Sequence, residues 1–271
     1  MHAIRIATVG DNCIDRYQPP IGLSTVGGNA VNVAVQLRRL GQKVAYFGAV
    51  GSDAEGERML GCFRENGLDV SHVRVAAGRT AYTDIGTDAA GDRTILFEDF
   101  GVCRAYRPGA QEVEALRGMR HVHIGWLDDA GTLKRALAAA GVSVSQDLSV
   151  NADPRNLRPE GLSIAFASAE GSRERGEMLL MEMLGAGAAT AVVTCGALGS
   201  LASNGRSRAE VGVAPTSVVD TTGAGDTFIA GFIAAHLKGR SLRACLQSGR
   251  NAAATTCMHL GGFPQIPLTI R

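Results

Sequence analysis

Residues 220–239 read DTTGAGDTFIAGFIAAHLKG, a glycine-rich turn that runs straight into an apolar helix and carries one acid, Asp226, in the first helical turn. Gly223, Ala224 and Gly225 have almost no side chain, so successive backbone N–H groups can face outward there. At a helix start such amides lack intrahelical acceptors and stand at the positive end of the helix dipole, which makes an anion site. Taken alone, an Asp at this position is an ordinary capping residue. Beside an amide nest it suits phosphoryl transfer: the N–H groups would hold charge on the moving phosphate, and the carboxylate would take the proton of an attacking hydroxyl. A positioned general base contributes about 10²–10⁴-fold in rate, and one oxyanion donor contributes about 3–4 kcal/mol. Two other phosphate-binding designs fail. No GxxxxGK[ST] string occurs, so there is no P-loop lysine. The dinucleotide pattern GxGxxG breaks at Phe228, and the stretch lies near the C-terminus instead of after the first strand.

Upstream of this turn, short apolar runs alternate with helical patterns. IRIATVG at 4–10, KVAYFGAVG at 43–51, HVHIGWL at 121–127, VSVSQDL at 142–148, LSIAFAS at 162–168 and AVVTCG at 191–196 predict strands buried on both faces. Between them, 29–40 carries an apolar stripe of Ala30, Val33, Ala34, Leu37 and Leu40. In 53–66, Asp53 can cap a helix and Gly67 can end it. Further helices are predicted over 130–140, 172–187, 224–238 and 241–259. This rhythm means a parallel sheet covered by helices on both sides. Residues 14–26 and 71–104 break it: they alternate with period two, and a Gly-Asp turn at 91–92 splits two arms. They predict a small sheet projecting over one edge of a single domain spanning 1–271.

The two glycine-bearing segments now carry a resemblance. DTTGAGDTFIAGF resembles the C-terminal signature of the PfkB family of carbohydrate kinases, and GGNAVNVAVQLRRLG with VAYFGAVGSDAEGERML resembles its N-terminal signature. The pair lies roughly 190 residues apart in the family's order. The resemblance implies a ribokinase-like three-layer α/β/α sandwich with a mostly parallel sheet and a small β lid. It implies ATP as donor, Mg²⁺, and a sugar hydroxymethyl as acceptor. It also implies Asp226 as catalytic base and Gly223, Ala224 and Gly225 as the anion hole. Asp220 matches a position tied to loop geometry and to a monovalent cation such as K⁺, with a plain turn-forming Asp as the competing reading.

At the acceptor end, Asp15 is expected to end the first strand, IATVGDNCID, where the carboxyl ends of parallel strands form the binding crevice. A carboxylate there can accept from two adjacent hydroxyls. The family's substrate aspartate falls on Asp15, and Asp11 is its rival. Gly27 and Gly28 allow close backbone approach, and Asn29 and Asn32, three apart on one helix face, can read hydroxyls. Asn32 matches a sugar-binding asparagine, whereas Asn29 stands where ribokinases more often carry Lys, which argues against plain ribose. VGDNCIDRY, GGNAVNVAV and FASA further resemble the branch of the family that phosphorylates the 6-hydroxyl of fructosamines such as fructoselysine. In that case Asp84, Arg93, Glu98 and Asp99 on the lid are candidate contacts for the amino-acid tail. Trp126 and Asp128 end a strand where the family contacts substrate, although a lone Trp is also a common core residue.

For the nucleotide, Thr194, Gly196 and Gly199 match positions beside the ATP phosphates and ribose, Thr222 belongs to the signature loop, and Asn251 matches a position near adenine. The family's NxxE motif appears here as Ser168-Ala169-Glu170-Gly171, so Glu170 or Glu174 is left as the Mg²⁺ acid.

Composition sets the remaining bounds. The chain has 271 residues, 45% hydrophobic and 20% charged, with net charge +1. A sizeable core is expected, and neither a nucleic-acid face nor a membrane patch or span is. Six scattered cysteines without a CxxC pair predict reduced thiols in a cytoplasmic protein and no zinc site. The exposed lid edges favour pairing with a second copy.

Overall fold

The computed structural model describes residues 5–87 and 93–270, apart from the side chains of Thr87 and Arg93. In chain order the strands are β1 Arg5–Val9, β2 Cys13–Tyr17, β3 Leu23–Gly27, β4 Lys43–Gly51, β5 Val73–Ala76, β6 Tyr82–Thr87 and β7 Arg93–Asp99. They continue with β8 His121–Ile124, β9 Ser143–Asp147, β10 Ile164–Ser168, β11 Ala191–Thr194, β12 Ser200–Ser203, β13 Arg208–Val211 and β14 Leu268–Thr269. The helices are α1 Asn29–Arg39, α2 Ala54–Glu65, α3 Ala110–Arg117, α4 Thr132–Ala139, α5 Arg173–Gly185, α6 Ala224–His236 and α7 Leu242–Thr256.

Nine strands form the main sheet in the order β13-β12-β11-β10-β9-β8-β1-β4-β5. From β11 to β5 every neighbour is parallel, and β12 and β13 turn back at one edge. Because successive strand residues point to opposite faces, the apolar runs feed two cores. Ile6, Val44, Tyr46, Ile164, Phe166 and Val192 meet α1, α2, α6 and α7 on one side. Ala7, Val9, Phe47, Ala165 and Val193 meet α3, α4 and α5 on the other. Helix α6 is buried without a break from Thr227 to Ala235, packed between α1 and α7, which is why it is apolar all round instead of striped. Among the described residues no helix is long and apolar enough to cross a membrane.

Strands β14, β3, β2, β6 and β7 form the second sheet in that order, standing over the carboxyl ends of the main one. Only part of the 71–104 stretch belongs to it. Val73–Ala76 pairs with Gly48–Gly51 as the edge of the main sheet, and Gly101–Ala105 winds into a 3₁₀ turn. Period-two alternation marks a half-covered strand but not which sheet it joins. The turn expected at 91–92 lies outside the described residues. Helix α3 and strands β12, β13 and β14 have no counterpart in the sequence reading, being only two to eight residues long.

A polar row runs through the sheet's interior. His121 Nδ1 and Nε2 lie 2.9 Å from Ser143 Oγ and Ser145 Oγ, and His123 Nδ1 lies 2.9 Å from Ser145 Oγ. Burial pushes both imidazoles down to about 3, helped by the charges of His236 and Arg120 near His121. The unfolded chain, with histidines near 6.5, therefore takes up protons first. Their effect on stability is nil above about pH 6.5 and grows unfavourable below it, by ~1.4 kcal/mol per pH unit for each ring. Urea midpoints measured at pH 5 and 7.5 are expected to fall at the acid end. The H121Q/H123Q double variant should lose less over that interval; an identical acid loss would contradict the assignment.

Candidate active site

The cleft takes shape where three pieces of backbone converge: the carboxyl ends of β1, β8 and β9, the inner face of the lid, and the N-terminus of α6. A cavity of about 320 Å³ joins Asp15 on the lid to Asp226 on α6, with Asn29, Asn32, Thr222 and Gly223 on its walls.

Asp226 is held from two sides. Its Oδ1 accepts from Asn29 Nδ2 at 2.6 Å and its Oδ2 from Asn32 Nδ2 at 2.7 Å. The same Asn29 amide donates to Asp147 Oδ2 at 2.9 Å. Burial pushes Asp226 up to about 7, with the charges of Asp147 and Asp11 adding to the rise and the two amides opposing it. To the sugar-reading role expected of the asparagines the structure adds another. They share a helix face as their spacing predicts, but their NH₂ groups serve the acid, and only the side-chain oxygens lack a partner among the described residues.

The turn before α6 is left-handed at Gly223 (φ 73°), and a Cβ there would come within 2.4 Å of Gly262 Cα. Of the three amides expected to face an anion, that of Ala224 closes a turn on the Thr221 carbonyl at 3.1 Å. As the second and third helical residues, Gly225 and Asp226 keep amides with no intrahelical acceptor. Thr222 donates its hydroxyl to Asp220 Oδ1 at 2.9 Å.

Asp220 is 2% exposed and accepts from four donors: the amide and hydroxyl of Thr222, the amide of Gly261 at 2.9 Å, and the Tyr17 hydroxyl at 2.8 Å. Burial works to raise it, yet these donors hold it below the usual carboxylate range. These bonds tie the loop ahead of α6 to the lid and to the Gly261 turn.

Asp11 has a similar structural task. It accepts from the amides of Asn29 (2.8 Å), Ala30 (3.2 Å) and Trp126 (3.0 Å), tying α1 to the end of β8 where the N-cap Gly28 has no side chain to offer. Both acids line the cleft, and Asp15 is the one on the lid. Cys13 Sγ donates to its Oδ1 at 3.1 Å, and a Cβ on Gly27 would meet its Oδ2 at 2.2 Å. Burial pushes Asp15 up to about 7, with Asp220, Asp11 and Glu98 adding to the rise. The Trp126 ring is 9% exposed and stacks on Phe100 at 4.0 Å, both on the cleft wall.

Of the other sequence candidates described, only Glu98 lines this cleft. Asp128 pairs with Arg107 at 3.2 Å in a neighbouring hollow. Asp84 accepts from Gln18 at 3.0 Å and Asp99 from the Gly101 amide at 2.9 Å, whereas Glu98 lines the cleft. The side chain of Arg93 lies outside the described residues. Thr194 ends β11, with Gly196 and Gly199 in the turn that follows, and Asn251 is exposed on α7. Glu170 is exposed and paired with Arg175 at 2.8 Å, and Glu174 accepts from the Ser172 hydroxyl at 3.3 Å. Among the described residues no group of three His, Cys, Asp or Glu side chains stands ready for a metal ion.

Asp147 was missed. Its signal, an acid ending a buried parallel strand, is the one that singled out Asp15, but VSVSQDL reads first as core.

The description "pfkB family carbohydrate kinase" matches residues 21–117 and 160–267. The chain is 34% identical over 263 residues to fructoselysine 6-kinase of Escherichia coli, covering 95% of this chain and 99% of that one. It is 30% identical over 267 residues to a fructosamine kinase of Bacillus subtilis, covering 96% and 93%. Among solved structures, Arabidopsis thaliana ribokinase complexed with ribose and ATP superposes with a TM-score of 0.84 at 23% identity over 97% of this chain and 96% of that one, so the fold is ribokinase-like. With both signature halves matched and two relatives at or above 30% identity along nearly its whole length, the chain belongs to the pfkB family of carbohydrate kinases, as an ATP-dependent kinase.

Proposed function

We propose that the chain transfers the γ-phosphoryl group of ATP to a primary hydroxyl of a sugar-amine acceptor, a fructosamine such as fructoselysine, with Asp226 as general base. The observation that carries this reading is the Asp226 carboxylate, fixed by two amides at the mouth of α6 in one cleft with Asp15. Asp15 Oδ2 takes acceptor hydroxyls. Asp226 takes the proton of the attacking hydroxyl, and a carboxyl that titrates at about 7 is well matched to that task near neutral pH. The amides of Gly223, Gly225 and Asp226 hold charge on the transferred group.

The nucleotide lies along the carboxyl edge of the sheet. Asp147 ends β9 and Thr194 ends β11, two strands away, so about 10 Å of edge separates them. That span supports an ATP tail running from the Gly196–Gly199 turn toward α6. Mg²⁺, when bound, neutralises phosphate charge; the lack of a ready-made acid cluster among the described residues suits an ion held mainly by nucleotide oxygens and water. Glu170 would have to leave Arg175 to reach it. Lid closure over the cleft would exclude water and limit wasteful ATP hydrolysis.

The deciding experiment is a panel of fructoselysine, other fructosamines, fructose, ribose and nucleosides scored for phosphorylated product. The highest kcat/KM is expected for a fructosamine. Preference for fructose, ribose or a nucleoside would overturn the acceptor, and absence of product with every acceptor would point to a binding protein.

The lid also supplies a surface for a second copy. Strand β7 is an edge of its sheet and exposes Ile95, Leu96 and Phe97. A dimer through this edge is expected to dissociate in the Leu96→Lys variant, as measured by sedimentation; a monomeric wild type would end the idea. All six cysteines are free thiols, which supports a reducing, cytoplasmic setting.

A further inference from the structure

Three residues of the lid form one transverse row. Asp15 on β2 is in register with Thr83 on β6, and Thr83 is in register with Glu98 on β7. Register partners on adjacent strands point to the same face, and two strand spacings put the ends of the row about 10 Å apart. All three residues line the cleft, so a carboxylate stands at each end with a hydroxyl between them.

The rest of the wall has the same polarity. Asp11, Asp15, Glu98 and Asp226 line the cleft, and no Lys, Arg or His does so among the described residues. The side-chain oxygens of Asn29 and Asn32 lack partners among the described residues but are themselves buried, so the cleft's acceptors are chiefly the four carboxyl groups. The NH₂ groups of both asparagines are committed to Asp226. The stacked rings of Phe100 and Trp126 add a π surface, which favours a cation close by. Beyond the rim, Arg104 lies 5.5 Å over the Phe100 ring and is the cation that opposes the rise of Glu98, a rise due first to burial and then to Asp11.

Acceptors of hydrogen bonds therefore dominate where the sugar must sit. A neutral sugar can satisfy them with hydroxyls but brings Glu98, an exposed residue whose one named cation is Arg104 beyond the rim, no charge from within the cleft. A protonated amine brings that charge. We propose that Glu98 is the specificity-determining residue of the acceptor end: its carboxylate holds a protonated amine on the carbon next to the ketose carbonyl, while Asp15 takes the sugar hydroxyls. The substrate class is then cationic 1-amino-1-deoxyketoses, and the sugar-side amine is recognised whatever tail it carries. This rests on the fructosamine reading above and narrows it to one side chain and one charge.

The test compares 1-amino-1-deoxyfructose, fructoselysine and fructose as acceptors for the wild-type protein and for Glu98→Gln, which keeps shape and removes charge. For wild type, both amines are expected to exceed fructose in kcat/KM. In Glu98→Gln the ratio of kcat/KM for either amine to that for fructose should fall ~10–100-fold, with the change in KM and not in kcat. Equal loss for all three acceptors, or an unchanged ratio, would overturn the role of Glu98 while leaving the fructosamine reading intact. If wild type phosphorylates fructose and neither amine, both fall together. Glu98→Asp should recover part of the ratio, because it restores the charge at shorter reach; a failure to recover any would count against charge recognition.

Discussion

Replacing Asp226 by asparagine is expected to lower kcat about 10²–10⁴-fold while moving the KM values for ATP and acceptor only a few-fold. The variant keeps size and shape but cannot take a proton. One cost is local: Asn29 and Asn32 each donate to a different oxygen of Asp226. An asparagine has one oxygen for two donors, so one NH₂ group would face another, and a thermal melt should show a modest loss of stability. The wild-type pH profile carries the complementary signature. Burial holds Asp226 at about 7, so the base is ionised above that value and kcat is expected to fall as pH drops through it. Asp15 titrates in the same range in the free protein, so kcat/KM reports both acids, whereas kcat, read with the acceptor covering Asp15, isolates Asp226. An unchanged kcat in Asp226→Asn would remove the residue from the chemistry.

The second large effect is expected from a single methyl group. A Cβ on Gly262 would lie 2.4 Å from both Cγ and Oδ1 of Asn32 and 2.6 Å from its Nδ2. The loop has little room to retreat, because Gln36 Nε2 holds the Gly262 carbonyl at 2.7 Å. Gly262→Ala should therefore push the amide that orients Asp226 Oδ2. A shift near 1 Å at a catalytic group costs about 10²-fold in kcat, and overpacking costs about 1–3 kcal/mol in stability. Asn32→Ala removes the colliding atoms, so the double variant should be no slower than Asn32→Ala alone. Wild-type turnover in Gly262→Ala would show that Asn32 does not position the acid.

The parts of this protein that were legible in its sequence are those governed by local chemistry. The strand runs, the stripe of α1, Asp53 capping α2 through the Gly56 amide at 2.9 Å, and the turn into α6 all depend on neighbours a few residues away. What escaped depends on partners far along the chain. The hold of Asn29 and Asn32 on Asp226 was not legible, because nothing local shows that an acid nearly two hundred positions on takes their amides. Asp147 went unread for the same reason. The Ala224 amide turned out to close on Thr221, a matter of one dihedral that residue type alone does not set. Strand β5 alternates like its lid neighbours, yet it found β4.

One bond has a thermodynamic consequence of its own. The Tyr17 hydroxyl, on a strand of the lid, donates to the carboxylate that shapes the loop ahead of α6. If the proposed site is right, a ligand that settled β2 over the cleft would steady the loop placed to receive the nucleotide's terminal phosphate. Reciprocity then requires each substrate to tighten the hold on its companion by one common factor, so the enzyme would discriminate against either arriving alone.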